Sequence, residues 1–177
     1  MRITGGIYRG RRILCPKAEI RPAMDRMRVS LFAILGDLEG SSFLDLYSGS
    51  GIVGLEAASR GASPVVLVEK DWRKKGVLLK NISFVGSRIE VRIMPVERFI
   101  LRSRERFDTI YLDPPFALKG KLETLSAIEA RGLLETGGIL VLHLPREESL
   151  PERLGRLYRA DLRRYGRSVL LFYRLEK

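Results

Sequence analysis

The sequence predicts one domain with an α/β fold and a mostly parallel β-sheet. One observation predicts the fold class and another the number of domains. From residue 42 onward, short apolar runs alternate with helical stretches, which is typical of strands joined by helical crossovers. The chain has 177 residues, 45% of them hydrophobic, which is enough for one domain with a sizeable core and too short for two.

Five apolar runs are predicted to form the parallel strands, at residues 42–47, 64–69, 89–94, 108–113 and 138–144. Helices are expected between them, over about 51–60, after Asp71 and near 119–131. Gly61 is the expected C-terminal cap of the first helix, and Asp71 is the expected N-cap of the second. This alternation covers both faces of the sheet with helices.

The C-terminal end departs from the alternation. Two strand-like segments, residues 156–164 and 167–174, flank Tyr165-Gly166. Such a pair between two strands is typical of a hairpin turn. We therefore expect an antiparallel hairpin at one edge of the sheet.

The N-terminal end is also distinct. Residues 2–4 and 11–14 are short β-like pieces separated by glycines. A helix is expected from about Asp25, with apolar residues at helical spacing on one face: Met27, Leu31, Leu35 and Leu38. We therefore divide the chain into a small β-containing extension, residues 1–24, and a main domain, residues 25–177.

The net charge of +11 lies mainly at the two ends of the chain. Residues 1–30 carry eight basic and two acidic side chains, residues 146–177 carry nine and five, and the middle carries fifteen and fourteen. Basic ends around a nearly neutral body indicate that a polyanion such as a nucleic acid docks on the termini.

Composition also bears on the cellular compartment. Cys15 is the only cysteine, which excludes an intramolecular disulfide and a zinc cluster built from cysteines. The first residues lack the apolar run of a signal peptide, and no window approaches a membrane span. We expect a cytoplasmic protein.

The stretch DLYSGSGIVG, residues 45–54, places glycines in the G-x-G-x-x-G pattern where the first strand gives way to a helix. This spacing lets the backbone approach a ligand closely at a helix N-terminus. Glu69 ends the second strand and can accept hydrogen bonds from ribose hydroxyls. These features fit NAD and equally any other adenosine-bearing cofactor.

The tetrapeptide Asp113-Pro114-Pro115-Phe116 follows the fourth strand, at the edge where α/β sheets bind ligands. The exocyclic amine of a nucleobase is a poor nucleophile because its lone pair is delocalised, and two acceptors for its N–H groups favour the pyramidal nitrogen that attacks a methyl group. The Asp113 carboxylate and the rigidly held Pro114 carbonyl can be these acceptors, and Phe116 can stack on the base. The whole tetrapeptide, including Pro115, is therefore the predicted catalytic site.

Five segments carry a family resemblance: RITGGIYRGRRI, IRPAMDRMRVSLF, DLYSGSGIVGLEAASRGA, VEKD and DPPF. The chain resembles the class I S-adenosylmethionine-dependent methyltransferases, and more closely the RsmD family, which methylates guanine N2 in 16S ribosomal RNA. The resemblance implies a Rossmann-like methyltransferase sheet, S-adenosylmethionine as cofactor and no metal. It also implies 16S ribosomal RNA as partner, within the small ribosomal subunit, and we expect a monomer.

The resemblance also assigns residues. The expected contacts of the methionine end of the cofactor are Asp45, Ser48, Gly49 and Gly51, and Glu69 is expected to hold the ribose. Arg21 and Arg26 match the family's N-terminal motif and are expected to contact RNA, together with Arg9, Arg11 and Arg12 of the basic N-terminal end. Pro95 aligns where such enzymes commonly carry Asp or Asn against the adenine.

Three other functions share some of these features. An adenine-N6 methyltransferase acting on DNA or RNA would need the same two acceptors. A non-catalytic RNA-binding protein would lack some of the loop glycines or one of the acceptors, and neither is missing. An NAD-dependent oxidoreductase would leave the tetrapeptide unexplained. His143, the only histidine, is assigned to the core, and Trp72 is assigned to a helix surface or the edge of the cofactor.

Overall fold

The computed structural model describes residues 1–15 and 22–176. The helices are α1 (Pro22–Leu35), α2 (Ile52–Ser59), α3 (Lys75–Ile82), α4 (Val96–Arg102) and α5 (Lys121–Ala130). The strands are β1 (Phe43–Leu46), β2 (Val65–Glu69), β3 (Ile89–Ile93), β4 (Phe107–Leu112), β5 (Leu134–Pro145), β6 (Arg153–Leu154), β7 (Leu157–Tyr165) and β8 (Ser168–Leu175). One turn of 3₁₀ helix, Trp72–Lys74, precedes α3.

The strands form one sheet in the order β3-β2-β1-β4-β5-β8-β7-β6. β1 to β5 pair in parallel, whereas β5 with β8, β8 with β7, and β7 with β6 pair antiparallel. This confirms the predicted fold class and the antiparallel hairpin. The strand order reverses between β1 and β4, and ligands of open α/β sheets bind beyond the carboxyl ends of the strands at such a point.

Helices pack on both faces of the sheet. Because neighbouring residues of a strand point to opposite sides, each strand contributes side chains to two cores. Phe43 of β1 belongs to the core under α1, α2 and α3, whereas Leu44 and Leu46 belong to the core under α4 and α5. All three side chains are buried. The strands are therefore apolar on both faces, as the sequence predicts.

The N-terminal extension contains less strand than predicted. Arg2 and Arg12 form a single antiparallel bridge, and the rest of this segment, which we call the arm (residues 1–15), contains no regular strand. The arm is instead held to α2 by its side chains, since Ile3 and Ile13 pack against Ile52 and Leu55. Burial of these apolar side chains does not require the backbone hydrogen bonds of a β-sheet. The apolar residues of the arm are therefore buried although the arm forms no regular strand.

Several boundaries differ from the predictions. α1 begins three residues before Asp25, at Pro22, in agreement with the preference for proline at the first helical position. Leu38 lies beyond the end of α1 but is still buried. The hairpin turn consists of Gly166 and Arg167, one residue later than predicted, because Tyr165 pairs with Ser168.

Two elements were not predicted from the sequence, α4 and the short edge strand β6. None of the helices in the described residues has the length and apolar character that crossing a membrane requires.

Candidate functional site

The glycine loop joins β1 to α2 in a conformation that needs its glycines. Gly49 and Gly51 have φ angles of 57° and 77°, in the left-handed region that glycine adopts without strain. Gly54 is needed for a different reason, because a Cβ there would lie 2.2 Å from a methyl carbon of Leu67. The three glycines therefore shape the turn and let α2 pack closely on β2.

Asp45 lies at the base of this loop with an incomplete set of partners. Its Oδ2 accepts a hydrogen bond from the Gly54 N–H at 3.0 Å, whereas Oδ1 is buried and has no partner among the described residues. Burial raises the pKa of Asp45 from 3.8 to about 8. The Oγ of Ser48 is likewise buried without a partner in the described part of the chain.

Glu69 connects the end of β2 to the glycine loop. Its Oε2 accepts hydrogen bonds from the Gly49 N–H at 2.9 Å and from the Lys74 ammonium at 3.2 Å. Its Oε1 accepts from the Asp71 N–H at 2.9 Å, and Asp71 caps the 3₁₀ turn through the Arg73 N–H, as predicted. A carboxylate oxygen accepts more than one hydrogen bond, so Glu69 retains capacity for a ligand hydroxyl.

The tetrapeptide Asp113–Phe116 begins where β4 ends, next to the glycine loop. The Asp113 N–H donates to the Leu46 carbonyl at 3.2 Å, which joins the tetrapeptide to the end of β1. Pro114 is buried, whereas Phe116 is 46% exposed. An exposed aromatic ring beside a carboxylate can receive a planar ligand.

His143 lies in the site, a position that sequence reasoning missed. Leu112 of β4 pairs with Leu142 of β5, so Asp113 and His143 are the next residues of two adjacent strands. His143 Nδ1 lies 2.7 Å from Asp113 Oδ1, and its ring packs edge-on against Phe116 with the centroids 5.3 Å apart. The sequence carries a histidine near the end of the fifth strand, but only the strand order makes it a neighbour of Asp113.

Lys121 is the second residue of the site that the sequence did not reveal. It is 4% exposed, and its ammonium donates to the Phe116 carbonyl at 2.9 Å and to Glu148 Oε2 at 2.7 Å. The loop that follows the tetrapeptide is therefore tied down by a lysine at the start of α5.

Two adjoining cavities open at this edge of the sheet. The smaller, about 180 Å³, lies under the glycine loop, and the larger, about 710 Å³, extends over the tetrapeptide. We call the larger one the groove; its walls include Met24, Glu69, Phe116, His143 and the hairpin turn at Tyr165–Ser168. Both cavities are lined by Asp113, which therefore lies at their junction. The volume of the groove is typical of a site for a small organic ligand.

The predicted RNA contacts are spread over the surface. Arg9, Arg11 and Arg12 of the arm and Arg26 of α1 are exposed, and Arg21 lies outside the described residues. The turn of the arm contacts the C-terminal end of α2, since the Ile7 N–H donates to the Ser59 carbonyl at 2.7 Å. Arg9 is thus at the far end of α2 from the glycine loop.

Two other sequence assignments have clear outcomes. Trp72 is 74% exposed on the 3₁₀ turn beside the groove, which confirms its assignment to a helix surface. Pro95 is exposed and precedes α4, and it lines neither cavity.

The chain is similar to known proteins in family, in sequence and in structure. The family described as "Conserved hypothetical protein 95" matches residues 1–174. Ribosomal RNA small subunit methyltransferase D of Escherichia coli K12 is 31% identical over 154 residues, which cover 85% of this chain and 78% of that protein.

Two further relatives inform the comparison. A solved structure of a hypothetical protein from Thermus thermophilus has a TM-score of 0.82 at 37% identity, covering 100% of this chain and 99% of that one. A tRNA (guanine(26)-N(2))-dimethyltransferase of Methanosphaerula palustris is 32% identical over 93 residues, which are 52% of this chain and 24% of that protein.

Proposed function

Because the chain belongs to the RsmD family of ribosomal RNA methyltransferases, we propose that it methylates the exocyclic N2 of a guanine in 16S ribosomal RNA. The proposed substrate form is the small ribosomal subunit, and the protein acts as a monomer. Family membership confirms two predictions made from the sequence, methyltransferase activity and S-adenosylmethionine as cofactor. When bound, this cofactor supplies an electrophilic methyl group on a sulfonium sulfur.

The smaller cavity fits the methionine end of the cofactor. Asp45 Oδ1 and Ser48 Oγ are buried and without partners among the described residues. Asp45 can therefore bind the ammonium group, and Ser48 the ammonium or the carboxylate group, without giving up a protein contact. Gly49 brings its backbone to the same cavity, and Gly51 shapes the turn through its φ angle of 77°. We assign Asp45, Ser48, Gly49 and Gly51 to this end of the cofactor.

Glu69 is assigned to the ribose. It lines the groove at the end of β2, and its contacts with Gly49 and Asp71 fix the carboxylate in place. A carboxylate held in this way can accept hydrogen bonds from a diol without paying the entropy of ordering its own side chain.

The position of Asp113 is the observation that carries the proposal. Its carboxylate lies at the junction of the two cavities, so an amine bound in the groove would meet the Asp113 side chain beside the cofactor cavity. The Asp113 carboxylate and the Pro114 carbonyl would accept hydrogen bonds from the two N–H groups of the amine. Because they stabilise the positive charge that develops on nitrogen, they act mainly in the transition state.

Guanine suits this site better than adenine. The N2 amine of guanine has a donor, N1–H, on one side and the acceptor N3 on the other, whereas the N6 amine of adenine has the acceptor N1 beside it. A carboxylate oxygen that accepts from the amine therefore also suits the adjacent N1–H of guanine, whereas it would face a lone pair on adenine. The tRNA relative is named for the same guanine N2 chemistry.

Mapping of the modified nucleoside tests the proposal. Free 16S ribosomal RNA and assembled small subunits, both from a strain lacking the gene, are incubated with the protein and S-adenosylmethionine, digested and analysed by mass spectrometry. We expect N2-methylguanosine, with the subunit as the better substrate, and at least about 100-fold slower formation of it with Asp113→Ala. N6-methyladenosine, or no methylation of either RNA, would overturn the proposal.

A further inference from the structure

We propose that His143 is a positioning residue, which holds one oxygen of the Asp113 carboxylate so that the other oxygen is free to face the base amine. The inference rests on the proposed function, since it assigns Asp113 as an acceptor for that amine. His143 lies at the carboxyl end of β5, and the proposed role depends on its contact with the adjacent strand β4.

The contact between the two side chains indicates which ring nitrogen of His143 carries hydrogen. His143 Nδ1 and Asp113 Oδ1 are 2.7 Å apart, and the histidine side chain is 5% exposed against 32% for the aspartate. An ionised carboxylate has no hydrogen to donate, so the hydrogen of this bond belongs to Nδ1.

The Asp113 carboxylate has no other side-chain partner within residues 1–15 and 22–176. Without His143, a carboxylate that is one third exposed would rotate and exchange its contacts with water. With His143 in place, Oδ1 is occupied and Oδ2 is available to the groove. The same ring supports Phe116, whose ring meets it at an angle of 74°.

A role in proton transfer fits the surroundings of His143 less well. Its second nitrogen, Nε2, is buried and has no hydrogen-bond partner within the described part of the chain. A proton taken from the amine by His143 could not pass on through Nε2, because no group of the described residues accepts it there. Orientation of Asp113 remains the role that the contacts support.

The state of the histidine can be read directly, because the chain has only one. In ¹⁵N-histidine-labelled protein, two-dimensional NMR reports which ring nitrogen carries hydrogen. We expect hydrogen on Nδ1 in the parent protein, and a change of the Nδ1 signal in Asp113→Ala. A parent ring with its only hydrogen on Nε2, or a ring unaffected by Asp113→Ala, would overturn the inference.

Two substitutions test the consequence for the reaction. His143→Asn keeps an N–H donor near the position of Nδ1, whereas His143→Leu removes it and retains an apolar side chain. We expect His143→Leu to lower the single-turnover rate about 10–100-fold, as for misplaced catalytic groups, and His143→Asn to restore most of it. Affinities for RNA and for S-adenosylhomocysteine should stay within about threefold of the parent.

A double substitution separates positioning from general packing. If His143 acts through the carboxylate, His143→Leu should cost little further rate in an Asp113→Ala background. Additive losses, or a parental rate for His143→Leu alone, would overturn this inference. A parental rate for Asp113→Ala would instead refute the proposed function of the site, so the two failures are distinguishable.

Discussion

The three carboxylates of the candidate site differ in their surroundings, and this separates their functions. Asp45 is buried with one free oxygen among the described contacts, Glu69 is tied to the backbone of the glycine loop, and Asp113 is partly exposed and paired with His143. A buried carboxyl group suits a fixed contact with the cofactor, whereas a partly exposed one can meet a substrate that enters and leaves.

Substitution of Asp113 should affect the chemical step more than binding. Removal of one preorganised group that stabilises transition-state charge lowers rates by about 10²–10³, so Asp113→Ala should lose at least that much in single-turnover methyl transfer. Asp113→Asn should lose less, because its amide oxygen still accepts a hydrogen bond. Affinity for S-adenosylhomocysteine, measured by calorimetry, is the control and should stay near parental. Equal rates for the parent protein and Asp113→Ala would place Asp113 outside the amine site.

Asp45 should make the stability of the ligand-free protein depend on pH. Because burial raises its pKa from 3.8 to about 8, the folded protein retains between these values a proton that the unfolded chain has released. The contribution of Asp45 to stability therefore falls as pH rises through this window and is constant above it.

Asp45→Asn removes this titration. Urea unfolding at pH 5, 6, 7, 8 and 9 should show a stability advantage of Asp45→Asn over the parent that grows up to about pH 8 and then levels off. Asp37→Asn, at an exposed position, is the control. A constant difference between Asp45→Asn and the parent across the series would contradict the assignment.

At the scale of elements, the site is assembled from pieces that are held by contacts between distant segments. Tyr165, at the end of β7, contacts Ser30 of α1 at 2.5 Å between their hydroxyl oxygens, which joins two walls of the groove. Lys121 of α5 joins the loop after the tetrapeptide to Glu148. The groove therefore has rigid walls even where loops form them.

Lys121→Met should loosen the loop that carries Phe116. The buried lysine makes hydrogen bonds to a carboxylate and to a carbonyl, and loss of such bonds costs about 1–3 kcal/mol in the free energy of unfolding. Urea unfolding should show this loss, and hydrogen exchange should speed up at residues 116–120. Lys119→Met, at an exposed lysine two residues away, should change neither measurement.

The arm is the predicted docking element for RNA. Arg9, Arg11 and Arg12 are exposed, and Arg11 lies 5.2 Å above the ring of Phe84. Reversal of all three to Glu should weaken RNA binding and reduce the slope of log affinity against log salt by about 0.7 for each lost phosphate contact.

A matched triple substitution tests where the RNA binds. Arg98, Arg102 and Arg104 are also exposed, but they lie in or just after α4, on the other face of the sheet. Their reversal changes net charge equally and should leave the salt slope near parental. If both triples reduce the slope alike, net charge and not the arm governs docking.

For the whole molecule, one buried ion-pair network unites the arm, α1 and α2. Glu56 is 0% exposed and lies within 3.4 Å of Arg28 and 3.0 Å of Arg60, and it accepts hydrogen bonds from Thr4 of the arm. Arg28, counted from sequence with the basic N-terminal charges, is 4% exposed and serves this network. The arm is thus part of the folded domain.

Glu56→Gln should therefore destabilise the whole protein. Removal of one partner of a buried ion pair costs about 3–5 kcal/mol, because it leaves the other charge less compensated. Arg28 keeps its contact with Asp25 at 3.0 Å, so we expect a loss at the lower end of this range. Urea unfolding measures the loss, and the Thr4 amide should exchange faster. Glu123→Gln, at an exposed position of α5, is the control and should be nearly neutral. A loss for Glu56→Gln as small as that of the control would show that the network does not hold the arm.

Features that depend on neighbours along the chain were predicted from the sequence. Apolar runs and their spacing predict the five parallel strands. Glycine spacing after β1 predicts the loop, the acidic residue that ends β2 predicts Glu69, and the residues after β4 predict the tetrapeptide. α4 was missed because its seven residues are too few for a clear helical period.

Only the tertiary structure decided which distant residues meet. Asp113 and His143 are 30 residues apart, and Lys121 and Glu148 are 27 apart. Their contacts follow from the order of β4 and β5 and from the register that pairs Leu112 with Leu142. Strand order and register are set by the packing of whole elements, which no local pattern records. The sequence therefore determined the chemical groups of the site, and the fold determined how each is held.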